Sequence, residues 1–212
     1  MIIVLVGPPG SGKGTQSEML LDVFGAEHVC VGDILRDAIE KGSELGLKAK
    51  AIIEKGNLLS DEDVFDIVKD RLHHPLDVPF IILDGYPRTI RQAELLEGCY
   101  RPPLKVIYFE IDEEKVIDRL GHRFTCKNCD KIYNFKTHPP KVDNTCDECG
   151  STEFIQRADD AKEVIAQRLK NYTQKTQPLI DFYLRNGVLY NIDASKEKHD
   201  IHDEIVKIIQ EL

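Results

Sequence analysis

The chain opens with an apolar run, Ile2-Ile3-Val4-Leu5-Val6, that passes directly into Gly-Pro-Pro-Gly-Ser-Gly-Lys-Gly-Thr at residues 7–15. A helical pattern follows through Gln16, Met19, Leu20 and Val23. This order of strand, glycine loop and helix is what gives the segment its meaning, because glycine-rich turns alone are common. Gly7, Gly12 and Lys13 satisfy G-x-x-x-x-G-K, in which backbone N–H groups converge on phosphate oxygens and the lysine ammonium reaches the terminal phosphates. Most such loops carry Ser or Thr after the lysine to bind Mg²⁺ directly. Here Gly14 occupies that position and Thr15 follows. A Mg²⁺ ion must then rely on phosphate oxygens and on waters held by carboxylates. Asp84 is the first candidate, since Phe80-Ile81-Ile82-Leu83-Asp84 reads as a buried parallel strand with an acid at its carboxyl edge. Asp33 is the second, with an N-cap of a helix over residues 34–40 as its equal and compatible alternative.

Helical periodicity falls near residues 13–24, 33–40, 44–55, 61–73, 90–98, 113–121, 160–185 and 199–211, and short apolar runs near 2–6, 28–31, 80–84, 104–110 and 188–192. Alternating strands and helices imply an α/β fold built on a doubly wound parallel sheet. Pro178 predicts a kink or break within 160–185. At 212 residues one core is expected. Two stretches interrupt the rhythm: a helical insertion over 30–59, and a cysteine-bearing β-rich unit over 122–159, leaving 1–29, 60–121 and 160–212 as the core. The closing pattern Ile201, Ile205, Ile208, Ile209 and Leu212 is an amphipathic helix.

Cys126, Cys129, Cys146 and Cys149 form C-x₂-C-x₁₆-C-x₂-C, a spacing suited to four thiolates around one Zn²⁺ with no open coordination position. Such a metal is structural. Two disulfides are the alternative, disfavoured in a reducing compartment, and iron or another thiophilic ion would suit the same ligands. Cys30 and Cys99 read as small buried hydrophobes. No apolar run approaches the roughly 18 residues that span a bilayer. Met1 enters a strand without a basic flank or cleavage site, so no signal peptide, no membrane partner and a cytoplasmic setting are expected. The net charge of −9 opposes nucleic-acid binding.

Taken with the glycine loop, the segments Gly32-Asp33-Ile34-Leu35-Arg36, Asp84-Gly85-Tyr86-Pro87-Arg88-Thr89, Arg123 and Arg157-Ala158-Asp159-Asp160 make the sequence resemble the adenylate kinases of the long-lid, zinc-lid form, nearly end to end. The resemblance implies reversible phosphoryl transfer from Mg·ATP to AMP, giving two ADP, by a monomer. It assigns Gly10, Ser11, Gly12, Lys13, Gly14 and Thr15 to ATP, with Arg119 stacked on its adenine and Arg123 on its phosphates. Arg36 and Arg88 would bind the AMP phosphate beside Gly85. Arg157 and Arg168 would contact both phosphates and the group in flight, although Arg168, on a Glu/Lys-rich helix, also suits a surface ion pair. Asp159 and Asp160 would brace these arginines, contact the transferring site or cap the next helix; bracing is favoured.

The base of the acceptor falls to Gln92, whose amide both donates and accepts, and to main-chain groups at Asn57, Leu58 and Leu59. Val31 stands where the family usually has Ser or Thr, which removes one contact near that base. AMP is largely dianionic at neutral pH, its second pKa being about 6, so no general base is nominated. A kinase for UMP or CMP is the nearest rival reading. A non-enzymatic module, ATP-gated and binding nucleic acid through its cysteine unit, is the rival from another class.

Overall fold

The structure, a computed structural model, describes residues 1–72, 78–99 and 104–211. Its elements run β1 (Ile2–Val6), α1 (Lys13–Phe24), β2 (Glu27–Cys30), α2 (Val31–Glu40), α3 (Glu44–Ile53), α4 (Asp61–Leu72), β3 (Ile81–Asp84), α5 (Ile90–Cys99) and β4 (Leu104–Glu110). They continue as α6 (Glu113–Gly121), β5 (Arg123–Cys126), β6 (Ile132–Asn134), β7 (Phe154–Ile155), α7 (Lys162–Asn171), α8 (Pro178–Arg185), β8 (Leu189–Asp193) and α9 (Lys198–Gln210). The parallel sheet has the order β2-β3-β1-β4-β8, and β5 pairs antiparallel with β6 and β7 in a second, smaller sheet.

Every residue of β1 is buried because the strand is central and covered on both faces. Ile2, Val4 and Val6 join a core with Val29, Leu83, Ala93 and Leu179 on one side. Ile3 and Leu5 pack on the other with Leu20 of α1 and Ile201, Ile205 and Ile209 of α9. The period-two split of an unbroken apolar run is what lets helices cover both faces. Residues Ile2 to Leu5 of β1 align with Ile81 to Asp84 of β3. The glycine loop leaving β1 therefore emerges beside Asp84, at the crevice where connections depart to opposite sides of the sheet.

Local chemistry sets the helix ends. Ser43 caps α3, its Oγ accepting from Gly46 N at 3.1 Å. Helix α4 begins with Asp61, Glu62 and Asp63 and ends with Lys69 and Arg71, in keeping with its dipole. Lys105, buried on β4, sends its Nζ to the carbonyls of Ile208 and Glu211 and so closes the end of α9.

Three readings of the sequence need correction. Helix α2 starts at Val31, with Cys30 as its N-cap, so Asp33 lies inside the first turn and is not the cap. Strand β2 runs into α2 without a loop because Val31 is drawn into the core. Cys30 is half-buried and Cys99 is exposed, so neither is the buried hydrophobe expected. The 160–185 pattern does break, but ahead of the proline: residues 172–176 form a π turn in which Gln177 N bonds Tyr172 O at 2.9 Å, and Pro178 starts α8. Two sequence expectations reach positions outside the described residues, namely the last residue of the 61–73 helix and Leu212.

Candidate active site

The cleft at the carboxyl end of the parallel sheet has a volume of about 710 Å³, in the range of small-molecule sites. Every nucleotide-site residue nominated from the sequence lines it, from Gly10 through Thr15 to Asp159 and Arg168, whereas the four cysteines lie outside. Helix α1 opens behind Gly12 with no side-chain cap and no acid in its first turn, so its N-terminal amides are free to meet an anion. Lys13 Nζ curls over the loop, donating to Gly7 O at 2.9 Å, Pro8 O at 2.8 Å and Ser11 Oγ at 3.2 Å. Burial pushes its pKa down to about 8; Asp84 opposes the fall, and Arg88, Arg168 and Arg123 add to it.

Asp84 is buried at the end of β3, and a Cβ added to Gly14 would sit 3.8 Å from its Oδ2. The carboxylate thus faces the position where related loops carry a hydroxyl. Just beyond it, Gly85 has φ +76° and lies so close to Arg88 that a Cβ would come within 2.8 Å of Nη2. Only glycine fits that turn. Arg88 Nε donates to Gly85 O at 2.9 Å, and Thr176 Oγ1 in the π turn donates to Arg88 O at 2.9 Å.

Arg123, from the start of β5, grips Asp160 with two hydrogen bonds, Nε to Oδ2 at 2.7 Å and Nη2 to Oδ1 at 2.6 Å. Arg168 on α7 reaches the same carboxylate at 2.8 Å and Asp159 Oδ2 at 2.9 Å. The Asp160 side chain is wholly buried, and Ala161, not either aspartate, caps α7. Arg36 is ion-paired with Asp33 one turn earlier on α2. Burial opposes ionisation of Asp33, but Arg36 and a Cys30 hydrogen bond overcome it and hold the carboxyl below its usual range. Arg157 is pulled down to about 10 by burial and by Arg36 and Arg123. Arg119 spans from Ser11 O, at 3.4 Å, to Ala194 O, at 2.9 Å. Burial, with Asp84 and Asp33 facing it, pushes the Cys30 thiol up to about 12.

The amide of Gln92 is buried and already engaged. Its Oε1 accepts from Arg88 N at 2.7 Å, and its Nε2 donates to Asp61 Oδ1 at 2.9 Å. One N–H and one lone pair remain for a base. Asn57 Oδ1 accepts from Asn171 Nδ2 at 3.2 Å, and Gly56 O accepts from the same amide at 2.7 Å. Leu59 and Val31 are buried in the core, while Leu58 is half-buried at the cleft. Asp61, Asn171 and Thr176 were not foreseen as site-building residues. Their partners lie 31, 115 and 88 positions away, and no local pattern signals such pairings.

The cysteine unit repeats one turn twice. Asp130 N bonds Cys126 O at 3.0 Å, and Gly150 N bonds Cys146 O at 2.9 Å. Each turn closes on a residue with positive φ, Asp130 at 58° and Gly150 at 72°. The four Sγ atoms lie within 4.8 Å of one another, with Cys126 to Cys149 at 3.6 Å and Cys129 to Cys146 at 3.5 Å. Those separations exclude S–S bonds, which are about 2.05 Å long. They match the edge of about 3.8 Å expected for a tetrahedron with Zn–S of about 2.3 Å. Tyr133 OH sits 3.4 Å from Cys146 Sγ and accepts from Asp147 N at 2.8 Å. Burial opposes ionisation of Cys146, yet the Tyr133 hydroxyl and the Cys149 and Glu148 amides bring its thiol down to about 6. This donor set fits a structural Zn²⁺.

A glycine loop facing a strand-end carboxylate, with arginines entering from several elements, is the arrangement of a P-loop site built for phosphate groups. The adenylate kinase family model matches residues 5–188. An adenylate kinase from Archaeoglobus fulgidus is 43% identical over all of this chain and 99% of its own length. One from Methanothrix thermoacetophila is 45% identical over 99% of this chain and 98% of its own, and one from Petrotoga mobilis is 41% identical at the same coverages. This chain belongs to the adenylate kinase family.

Replacing Asp160 with Asn leaves two half-buried guanidinium groups sharing a neutral amide oxygen. Misplacing reacting groups by about 1 Å can cost about 10²-fold, and kcat of Asp160→Asn is expected to fall by about that factor while far-UV circular dichroism stays unchanged; wild-type turnover would dismiss the brace. Cys126→Ser is expected to lower the melting temperature by at least about 4 °C, equivalent to a loss of one or more kcal/mol. Its kcat at a temperature where the variant is folded should stay close to wild type, as calorimetry beside a coupled assay will report.

Proposed function

We propose that this chain catalyses reversible transfer of the γ-phosphoryl group of Mg·ATP to AMP, giving two ADP. The observation that carries this reading is the convergence of Lys13, Arg36, Arg88, Arg123, Arg157 and Arg168 on one cleft. Asp159 and Asp160 are engaged by Arg123 and Arg168, and Asp33 by Arg36, so none of the three is available as a base. A phosphate dianion needs no deprotonation to attack, so positioning and charge must supply the catalysis. The loop residues 10–15 would hold the ATP phosphates, and Arg119 the adenine. Arg36 and Arg88 would take the AMP phosphate, and Arg123, Arg157 and Arg168 would follow the charge that spreads over the transferring oxygens. Gln92 and the main chain of Asn57 to Leu59 would read the acceptor base.

Mg²⁺, when bound with ATP, would neutralise phosphate charge, and Asp84 and Asp33 would hold its waters in place. The four cysteines would hold Zn²⁺ as a fold-forming ion of the lid. Residues 30–59 and 122–159 would act as covers over a core of 1–29, 60–121 and 160–212, closing to exclude water from the activated phosphoryl group. Lys131 of the cysteine unit already reaches Glu18 on α1, at 3.2 Å, which supports closure of that cover on the donor side. Kinship supports a cytoplasmic monomer whose partners are ATP, AMP and ADP; the net charge of −9 speaks against nucleic acid.

With Mg·ATP as donor, ADP should form from AMP far faster than from UMP, CMP or GMP, and Arg88→Ala should lose most of that activity while remaining folded. Equal rates with UMP or CMP would replace AMP as the acceptor. The free enzyme's Lys13, with a pKa of about 8, binds phosphate only when protonated. The log of kcat/KM for ATP is therefore expected to fall as pH rises through about 8, since this ratio reports groups of the free enzyme. A flat profile to pH 9.5 would remove the ammonium from donor binding.

A further inference from the structure

Strands β2 and β3 place a second set of ligand atoms at the floor of the cleft. His28 and Cys30 are two residues apart on β2 and share a face, and Cys30 stands directly opposite Asp84 in the parallel register. A His28 ring nitrogen, the Cys30 Sγ and an Asp84 carboxylate oxygen all lie within 4.8 Å of one another. His28 Nε2 is buried and has no hydrogen-bond partner, an uncompensated cost for a polar atom in the interior. Cys30 and Asp84 line the cleft, whereas His28 does not. An ion could enter from the cleft side and keep one coordination position facing it.

We propose that His28, Cys30 and Asp84 form a second cation site, selective for a thiophilic divalent ion of the Zn²⁺, Cd²⁺ or Co²⁺ type. Selectivity follows from the surroundings. Lys13 and Arg88 face Asp84, so a hard ion held by charge alone gains little there. A thiolate and an imidazole favour softer ions, and Asp33 beside Cys30 adds negative charge. On binding, the Cys30 thiol proton passes to solvent, and three protein ligands leave the fourth position for water or a nucleotide phosphate. Resting on the role proposed above for Asp84, an ion here withdraws that carboxylate from the Mg²⁺ waters and inhibits phosphoryl transfer.

The test uses the whole protein with its cysteine unit filled with Zn²⁺, titrated with Cd²⁺, with both metals counted by elemental analysis. Wild type is expected to take up one equivalent of Cd²⁺ beyond any Zn²⁺ displaced. Both His28→Ala and Cys30→Ser should bind this equivalent at least about tenfold more weakly, as loss of even an indirect metal contact does. His28→Ala, whose side chain does not line the cleft, should keep wild-type activity without Cd²⁺, and in both variants inhibition by Cd²⁺ under excess Mg²⁺ should weaken by the same factor. Cd²⁺ uptake equal to Zn²⁺ released, or an extra equivalent undiminished in both variants, would overturn the site. An extra equivalent lost in the variants but never inhibitory would uphold the site and remove Asp84 from the Mg²⁺ reading.

Discussion

Asp160 lies wholly out of water between Arg123 and Arg168, and the working cleft depends on that arrangement. Two guanidinium groups so close repel each other and resist desolvation; burial drags Arg168 below its ordinary pKa, with Arg123 adding to the fall. A shared carboxylate offsets both effects, fixing the plane of the Arg123 fork through two hydrogen bonds and accepting one more from Arg168 Nη1. Breaking a buried pair by removing one partner typically costs about 3–5 kcal/mol, so the geometry is strongly specified. The positive excess around the glycine loop is local. Lys13, Arg36, Arg88, Arg123, Arg157 and Arg168 outnumber Asp33, Asp84, Asp159 and Asp160 in a chain whose overall charge is −9. Such an excess repels itself until anions neutralise it, which is the physical reason this cleft suits the phosphate groups of nucleotides.

The parts of the fold legible in the sequence are those governed by near neighbours. The strand, glycine loop and α1 follow one another without a gap, and the two cysteine turns each need only five residues to close. The parallel sheet was legible because central strands are continuously apolar, as residues 2–6 and 80–83 are. What escaped depends on contacts across the fold. Asp33 has the composition of an N-cap, but the pull of Val31 into the core begins the helix three residues early. Cys99 sits at the exposed end of α5, where the chain's periodicity no longer dictates a buried face. The amide of Gln92 reads as free for a base until Asp61, 31 residues away, occupies one of its donors.

Pro178 illustrates a partial signal. It lacks an N–H and cannot continue a helix with the carbonyl four residues back, so a break was certain to be nearby. The chain absorbs the break upstream, widening residues 172–176 into a π turn, and Pro178 then serves at the first position of α8, where its missing donor costs nothing. The widening has a use. It turns Thr176 toward Arg88 O, so the residue expected at the acceptor phosphate is held by a helix remote in sequence.

Helix α7 and this π turn gather the anchors of both ends of the cleft. Arg168 holds Asp159 and Asp160, which sit where the cysteine unit rejoins the core. Asn171, one turn on, holds Gly56 O and Asn57 of the loop that precedes α4. Thr176 holds the backbone of Arg88. Each neutral hydrogen bond contributes about 0.5–1.5 kcal/mol, and those to charged groups about 1.5–3 kcal/mol. A shift of α7 by one residue would forfeit all of them together. The Asp159–Asp160 pair and the Gly56–Asn57 loop are thereby tied to one helix, and their spacing in this structure follows from helix geometry more than from flexible side chains.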